Sequence, residues 1–302
     1  MDTERKIFRN QSLNDEFIRN GYLIIDLLDA PSVKRIYDFF ELNAPEHFEG
    51  TYSSVFFWNE SLNKEISDLS NEIIQPVIQE YLNEWFLEGA SFITKYPSEK
   101  ESSDFGLHQD FNMLDEQEVP SIGLWIPLID THKDNGGLCV LPGSHLKFAG
   151  TIRGANLPSQ YIRISPEVEK KVTFLDVKAG QACFFFHSLF HGSLNNSSKN
   201  PRVIMHAGLF PKNSVPIHYL EVSDELGNKT IEKLKFNRLD YYKNINAYLA
   251  NPKSFPHEVI GIQEIYTPKP TMEEVLADYT STNNSIWEVW HTFKKKFNQI
   301  KS

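Results

Sequence analysis

The sequence predicts a mainly β domain, either a sandwich, a jelly roll or a barrel, with helices added at both ends. Three observations predict it. From Ala90 to about Phe210, short apolar or alternating runs recur, separated by Gly, Pro, Asn and Asp. The segments on either side carry apolar residues at helical spacing instead. And 302 residues with 40% hydrophobic content can bury one large core. The expected organisation is a single domain over 1–302: a helical part (1–89), a β core (90–210) and a mostly helical extension (211–302).

Taken in order, Ser12-Leu13-Asn14-Asp15 reads as a helix start, with the helix stopping near Gly21. Tyr22–Asp26 reads as a strand. Pro31 suits a first helical position, and Val33, Ile36, Tyr37 and Phe40 form a helical stripe. A longer helical region spans about Asn63 to Phe86, with Pro76 expected to kink or break it. The β runs are Ser91–Tyr96, Ile122–Ile129, Leu138–Leu141, Val172–Val177, Ala182–Phe186 and Val203–Phe210. Asn135-Gly136-Gly137 and Lys178-Ala179-Gly180 are turn sequences between them. After Pro211 the pattern weakens. Glu273–Tyr279 and Ile286–Ile300 read as helices, and the second carries Ile286, Val289, Trp290, Phe293, Phe297 and Ile300 on one face. That face suits the β core, or a second copy in a homodimer.

Composition excludes several classes. A net charge of −10 without a basic stripe argues against nucleic acid as a partner. No run approaches the roughly 20 apolar residues that span a bilayer, and the N-terminus lacks a signal-peptide core. Cys139 and Cys183 each lie in an apolar run and read as buried thiols, not as a disulfide or a zinc site. A cytoplasmic setting is expected.

The chemistry concentrates in His108-Gln109-Asp110, His191-Gly192-Ser193 and Arg202. Two neutral imidazoles and one carboxylate are the donor set of non-haem Fe(II) oxygenases, and they leave three coordination positions open. On an extended strand His108 and Asp110 would face the same way. His191, opening a turn-rich stretch, would complete the set. His187 is the competing donor. The Gly-Ser after His191 and its distance to Arg202 favour His191, which leaves His187 beside the metal or in the core. Arg202 opens an apolar strand, where a guanidinium needs an anionic partner. It suits bidentate binding of a carboxylate. Ser193 and Lys95 are further donors to the same anion.

In order, these residues resemble the phytanoyl-CoA dioxygenase family of Fe(II)/2-oxoglutarate oxygenases, over roughly residues 12 to 210. The resemblance runs from Glu16–Tyr22 and Ile93–Pro97 through His108-Gln109-Asp110, Leu124–Leu128 and Asn135–Leu138. It continues with Pro142–His145, His191-Gly192-Ser193 and Arg202. It implies a double-stranded β-helix (the jelly roll of cupins) with Fe(II) held by His108, Asp110 and His191. It further implies 2-oxoglutarate gripped by Arg202, with Lys95, Trp125 and Ser193 lining its pocket and dioxygen as the second co-substrate. Related halogenases lack the metal-binding carboxylate. Asp110 therefore favours oxygenation, or another hydrogen-abstraction outcome, over halogenation, and hydroxylation of a C–H bond with release of succinate and CO2 is expected. The alternatives are a cupin-type metalloprotein that is not an oxygenase (isomerase, hydrolase or binding protein) and an inactive interaction module.

For the substrate, Phe111, Asn112 and Met113 follow the metal motif. Asp115 and Glu116 read as solvated turn residues or as partners for a cationic group. His206 shares a strand face with Arg202. No cation cluster suited to a CoA thioester is evident. A small polar, amino-acid-like or natural-product substrate is expected, with tethering to a carrier protein left open.

Overall fold

A computed structural model of the chain describes residues 6–277, apart from 47, 99–102, 117, 149–150, 158–159, 255 and 264–269. The amphipathic stretch Ile286–Ile300 lies outside the described residues. Helix α1 (Gln11–Asn20) starts earlier than expected because Asn10, not Ser12, caps it: the Leu13 N–H donates to Asn10 Oδ1 at 3.2 Å. It ends at Gly21, whose φ of 85° takes the left-handed conformation that closes many helices. Strand β1 (Tyr22–Asp26) follows, then helix α2 (Ala30–Asn43), with Asp29 as its cap and Pro31 in its first turn.

Helix α3 (Glu60–Tyr81) runs through Pro76 without breaking. Pro76 is exposed, so the Glu72 carbonyl that it leaves without a donor lies on the solvent side. The helix stops before Trp85, where strand β3 (Trp85–Lys95) begins, so Trp85 and Phe86 are extended and not helical. The side chains of Gln75 and Gln79 explain the stop. Both donate to the Trp85 carbonyl, and Gln75 Oε1 accepts the Leu87 N–H at 2.7 Å, which fastens the strand to the helix.

A six-stranded antiparallel sheet takes the order β1-β8-β5-β10-β3-β2, from β2 (Thr51–Ser53), β5 (Ile122–Pro127), β8 (Gln181–Phe186) and β10 (Arg202–Pro211) with β1 and β3. A four-stranded sheet takes the order β4-β9-β6-β7, from β4 (Phe105–His108), β6 (Leu138–Val140), β7 (Thr173–Phe174) and β9 (His191–Ser193). Together they make the double-stranded β-helix. Gly136 and Gly180 take positive φ in the two expected turns. Phe17, Ile36, Phe40, Ile66, Ile74 and Ile78 of the three helices join Leu124, Phe184 and Ile204 of the large sheet in one buried cluster.

Beyond Pro211 the expected helical extension is largely replaced by β structure. Strands β11 (Ile217–Ser223), β12 (Lys229–Lys235) and β13 (Glu258–Gln263) form a three-stranded antiparallel sheet. Helices α6 (Arg238–Lys243) and α7 (Ile245–Ala250) are short. Helix α8 (Met272–Leu276) matches the start of the expected helix at Glu273. Two four-residue helices, α4 (Ser144–Lys147) and α5 (Pro166–Glu169), complete the numbering. No helix among the described residues is long and apolar enough to cross a membrane. Cys139 and Cys183 are buried and free.

Strand register positions the site. Arg202 pairs with Lys95, His206 with Trp125, and Gly123 with Phe185. Residues two apart on a strand share a face, so Arg202, Lys95, His206, Trp125, Gly123 and Phe185 share one face of the sheet. Gly123 is small for a reason: a Cβ there would lie 2.5 Å from the Phe185 ring. Gly123→Val should lower stability by about 1–3 kcal/mol through overpacking. The urea midpoint is the measurement, and an unchanged midpoint would show that the ring is free to move.

Candidate metal and anion site

His108 is the last residue of β4, and its register partner is His191, the first residue of β9. The two imidazoles lie 4.5 Å apart, centroid to centroid. This close spacing needs the glycine after His191. A Cβ on Gly192 would sit 2.5 Å from the Phe105 carbonyl oxygen and 3.0 Å from that of Gly106, so only glycine lets β4 and β9 approach this closely. Asp110 lies past the end of β4, not on the strand. Its N–H donates to the His187 carbonyl at 2.9 Å, which turns the chain so that its carboxylate meets both rings. Asp110 Oδ1 is 3.7 Å from His108 Nε2, and Oδ2 is 3.8 Å from His191 Nε2. One donor atom from each residue lies within 4.8 Å of the others.

Both histidines present the same nitrogen. His108 Nδ1 meets the Gly106 carbonyl at 2.8 Å, and His191 Nδ1 meets the Leu189 carbonyl at 3.0 Å. A carbonyl can only accept, so each Nδ1 carries the proton and each Nε2 keeps a lone pair for a metal. Burial pushes His191 down to about 4, so it stays neutral at neutral pH. Burial alone would raise the Asp110 carboxyl, but electrostatic interaction with the His191 ring and the bond to His108 hold it well below the usual range. The His108 and Asp110 side chains are 27% and 29% exposed against 8% for His191, so the cluster opens on their side.

The sheet face opposite carries cations. Arg202 is 3% exposed, and its Nε and Nη1 have no hydrogen-bond partner among the described residues. Its guanidinium carbon stands 5.7 Å from the Trp125 ring centroid. Burial pushes it down to about 9, which leaves it charged at neutral pH. Lys95, fully buried beside it, donates to Ser193 Oγ and the Leu194 carbonyl, each at 2.7 Å. Burial, and then repulsion from Arg202, push Lys95 down to about 6. Lys95, Trp125, Ser193 and Arg202 thus lie together, joined to His191 by the single residue Gly192 that separates it from Ser193. His187, the competing donor, is outside the group of converging donor atoms.

The loop after Asp110 departs from the sequence reading. Asp115 and Glu116 are neither solvated nor turned toward a ligand. Asp115 pairs with Lys233 on β12, and Glu116 pairs with Arg153 at 2.6 Å. Arg153, 2% exposed, also donates from Nε to the Asp110 carbonyl at 2.6 Å, and its N–H donates to Asn112 Oδ1 at 2.7 Å. Sequence reasoning missed it, because nothing in Ile152-Arg153-Gly154 distinguishes a buried arginine from a surface one. Tyr241 on α6 was missed too. Its phenol is raised well above its ordinary value by burial first, then by Tyr242, Tyr248 and Asp110. Breaking a buried ion pair from one side costs about 3–5 kcal/mol. Arg153→Met should therefore lower the unfolding free energy by about that amount, measured in urea. A loss below about 1 kcal/mol would mean that the Arg153–Glu116 pair behaves as a solvated one.

Comparison with known proteins follows from this geometry. No curated protein sequence matches the chain. Among solved structures, the epimerase SnoN in complex with Fe3+, alpha ketoglutarate and nogalamycin RO superposes with a TM-score of 0.50 at 19% identity, over 68% of this chain and 85% of that one. HygX from Streptomyces hygroscopicus with nickel and 2-oxoglutarate gives 0.47 at 14%, over 68% and 88%. The carbocyclase SnoK from nogalamycin biosynthesis gives 0.46 at 15%, over 68% and 86%. The SnoN likeness is one of fold, the jelly roll. The family model described as Phytanoyl-CoA dioxygenase (PhyH) matches residues 17–204, well over half of the sequence and inclusive of every residue expected at the site. The chain belongs to the phytanoyl-CoA dioxygenase family.

Proposed function

We propose that the protein is an Fe(II)- and 2-oxoglutarate-dependent oxygenase that hydroxylates a C–H bond of a small polar substrate. Its residues fit both groups. His108, Asp110 and His191 would hold the iron, with lone pairs already directed and a carboxylate already ionised. Arg202 would grip the far carboxylate of 2-oxoglutarate, with Lys95, Ser193 and Trp125 around it. Iron so held, with 2-oxoglutarate and dioxygen, supplies oxidation of a C–H bond with release of succinate and CO2.

The observation that carries this reading is the orphaned guanidinium. A buried Arg with two unpaired nitrogens is costly, and an anion that pairs with both offsets the cost. The described residues supply no such anion to Arg202. A cupin-type protein without an oxo-acid co-substrate has no use for that charge opposite its metal. The Fe3+ and alpha ketoglutarate of the SnoN structure are in keeping with the same pair here.

The chain's own groups do the rest. Gly106 and Leu189 fix the imidazole tautomers, so neither ring has to turn to bind. The Phe185 ring, 4.7 Å from that of His191, sets an apolar surface against the inner side of that imidazole. Arg153 and the His187 carbonyl hold Asp110 by its backbone, which leaves both carboxylate oxygens available.

Anaerobic addition of Fe(II) and 2-oxoglutarate to metal-free protein should give the weak visible absorption of a ferrous 2-oxo-acid chelate. Arg202→Ala should weaken 2-oxoglutarate binding at least about a hundredfold, the scale of a buried charged hydrogen-bonded contact. His191→Ala should abolish the absorption. Iron binding without any absorption change on adding 2-oxoglutarate would remove the co-substrate from this reading. Analysis of the product separates hydroxylation from epimerisation or ring closure.

A pH dependence follows from Lys95. Free Lys95 loses its proton above about pH 6. An anion between it and Arg202 favours the charged form, so binding takes up a proton and the affinity for 2-oxoglutarate falls as pH rises from 6 to 8. The slope is at most about tenfold per unit. Isothermal titration across that range checks it, and Lys95→Met should flatten the profile. An equally steep profile in Lys95→Met would assign the proton to another group.

A further inference from the structure

Two histidines beside the converging donors have no task in the reading above. The Phe185 ring shows where they stand. Its centroid is 4.7 Å from that of His191, 6.4 Å from that of His187 and 6.3 Å from that of His206. One aromatic ring, seated over Gly123 on the sheet face that carries Arg202 and Trp125, is thus bordered by a candidate iron donor and by two further imidazoles. All three histidines border that one ring.

His187 is 6% exposed. Its Nδ1 donates to the Phe111 carbonyl at 3.1 Å, which leaves Nε2 as an acceptor. That atom is buried and has no partner among the described residues. The His206 side chain makes no hydrogen bond among the described residues. Burial pushes it down to about 4, so its ring is neutral and carries one N–H and one lone pair. A buried acceptor left without a donor destabilises a fold. Apolar side chains would have bordered the Phe185 ring at less cost. The lone pair of His187 Nε2 repels carboxylates and phosphates and gives an alkyl group nothing to pair with, and His206 adds a second lone pair beside its own N–H. They match an O–H or N–H donor.

We propose that His187 and His206 are the specificity pair of the site. Their free ring nitrogens accept hydrogen bonds from a hydroxyl or ammonium group of the substrate and so orient the neighbouring carbon toward the His108–Asp110–His191 cluster. This rests on the oxygenase reading and narrows its substrates to alcohol- or amine-bearing molecules. A site that pairs its buried polar groups with the substrate rejects the analogue lacking the donor far more strongly than an apolar pocket does. Both are positioning residues, since neither belongs to the donor cluster.

The test uses the protein loaded with iron and 2-oxoglutarate and a panel of amino alcohols and polyols, each paired with its deoxy counterpart. Succinate release is the readout. The donor-bearing member of at least one pair should raise it about tenfold or more over the deoxy member. For that compound, His187→Phe and His206→Phe should each raise KM about tenfold with a smaller change in kcat, while keeping the visible absorption of the ferrous chelate. His187→Gln, whose amide oxygen accepts a hydrogen bond, should recover most of the loss. Chelate absorption with no difference within any pair, or with KM unmoved by both Phe variants, overturns the assignment and leaves the oxygenase reading standing. Absence of that absorption in the unaltered protein overturns both.

Discussion

The buried charge of Arg202 is the constraint on which the site depends. It opens β10, the strand that bonds to both β3 and β5 at the centre of the large sheet, and its register partner is a second buried basic residue, Lys95. Two basic side chains side by side, both out of water, cannot both hold a charge at neutral pH, so Lys95 is pushed down to about 6 and the charge stays on Arg202. Only partial relief is visible. Trp125 offers its ring face to the guanidinium, and the oxygens of Ser193 and Leu194 take the amine's hydrogens. If stability were all that mattered, apolar side chains would serve better here. The free protein therefore carries a deficit that binding an anion removes. The surrounding core bears that deficit: a single apolar cluster ties three helices to the same sheet.

The second constraint is the distance between two backbones. The imidazoles of His108 and His191 converge because β4 and β9 lie close, and they lie close because residue 192 has no side chain. The register then sets His108 opposite His191. Each ring is oriented by a carbonyl two residues before it, so the metal-facing nitrogen is chosen by main-chain atoms and not by neighbouring side chains. Side-chain substitutions around the site can thus alter its lining without turning the rings.

Much of this was legible in the sequence, and the failures have physical causes. The six β runs became strands because alternation and flanking turn residues agree there. The converging residues were legible because metal chemistry restricts residue type. The shared strand for His108 and Asp110 was wrong: spacing of two cannot tell a strand from a strand end followed by a turn. His191 was placed in a turn because Gly192 was read as a breaker, when its role is close approach. The sheet β11-β12-β13 was missed although a hairpin signal existed. Asp224–Asn228, with Gly227 at φ 84°, separates Ile217–Val222 from Ile231–Leu234. The Asp115 and Glu116 pairings could not be seen, because their partners lie 118 and 37 residues away.

The region beyond the family match shapes the site from behind. His218 on β11 is buried, and its ring stacks on those of Phe236 and Tyr248 at centroid distances of 4.1 and 4.9 Å. Its Nδ1 donates to the Asn112 carbonyl at 2.9 Å, and the Ile217 N–H donates to the Met113 carbonyl at 3.0 Å. Residues 112 and 113 follow directly on the Asp110 turn. That turn is gripped on one side by Arg153 and on the other by a strand that the matched family region does not include. The position of the Asp110 carboxylate therefore depends on packing far along the chain. A change in the aromatic column around His218 would reach the donor cluster through backbone hydrogen bonds, with every donor side chain still present. The jelly roll supplies the donors, and the added sheet fixes the loop that carries one of them.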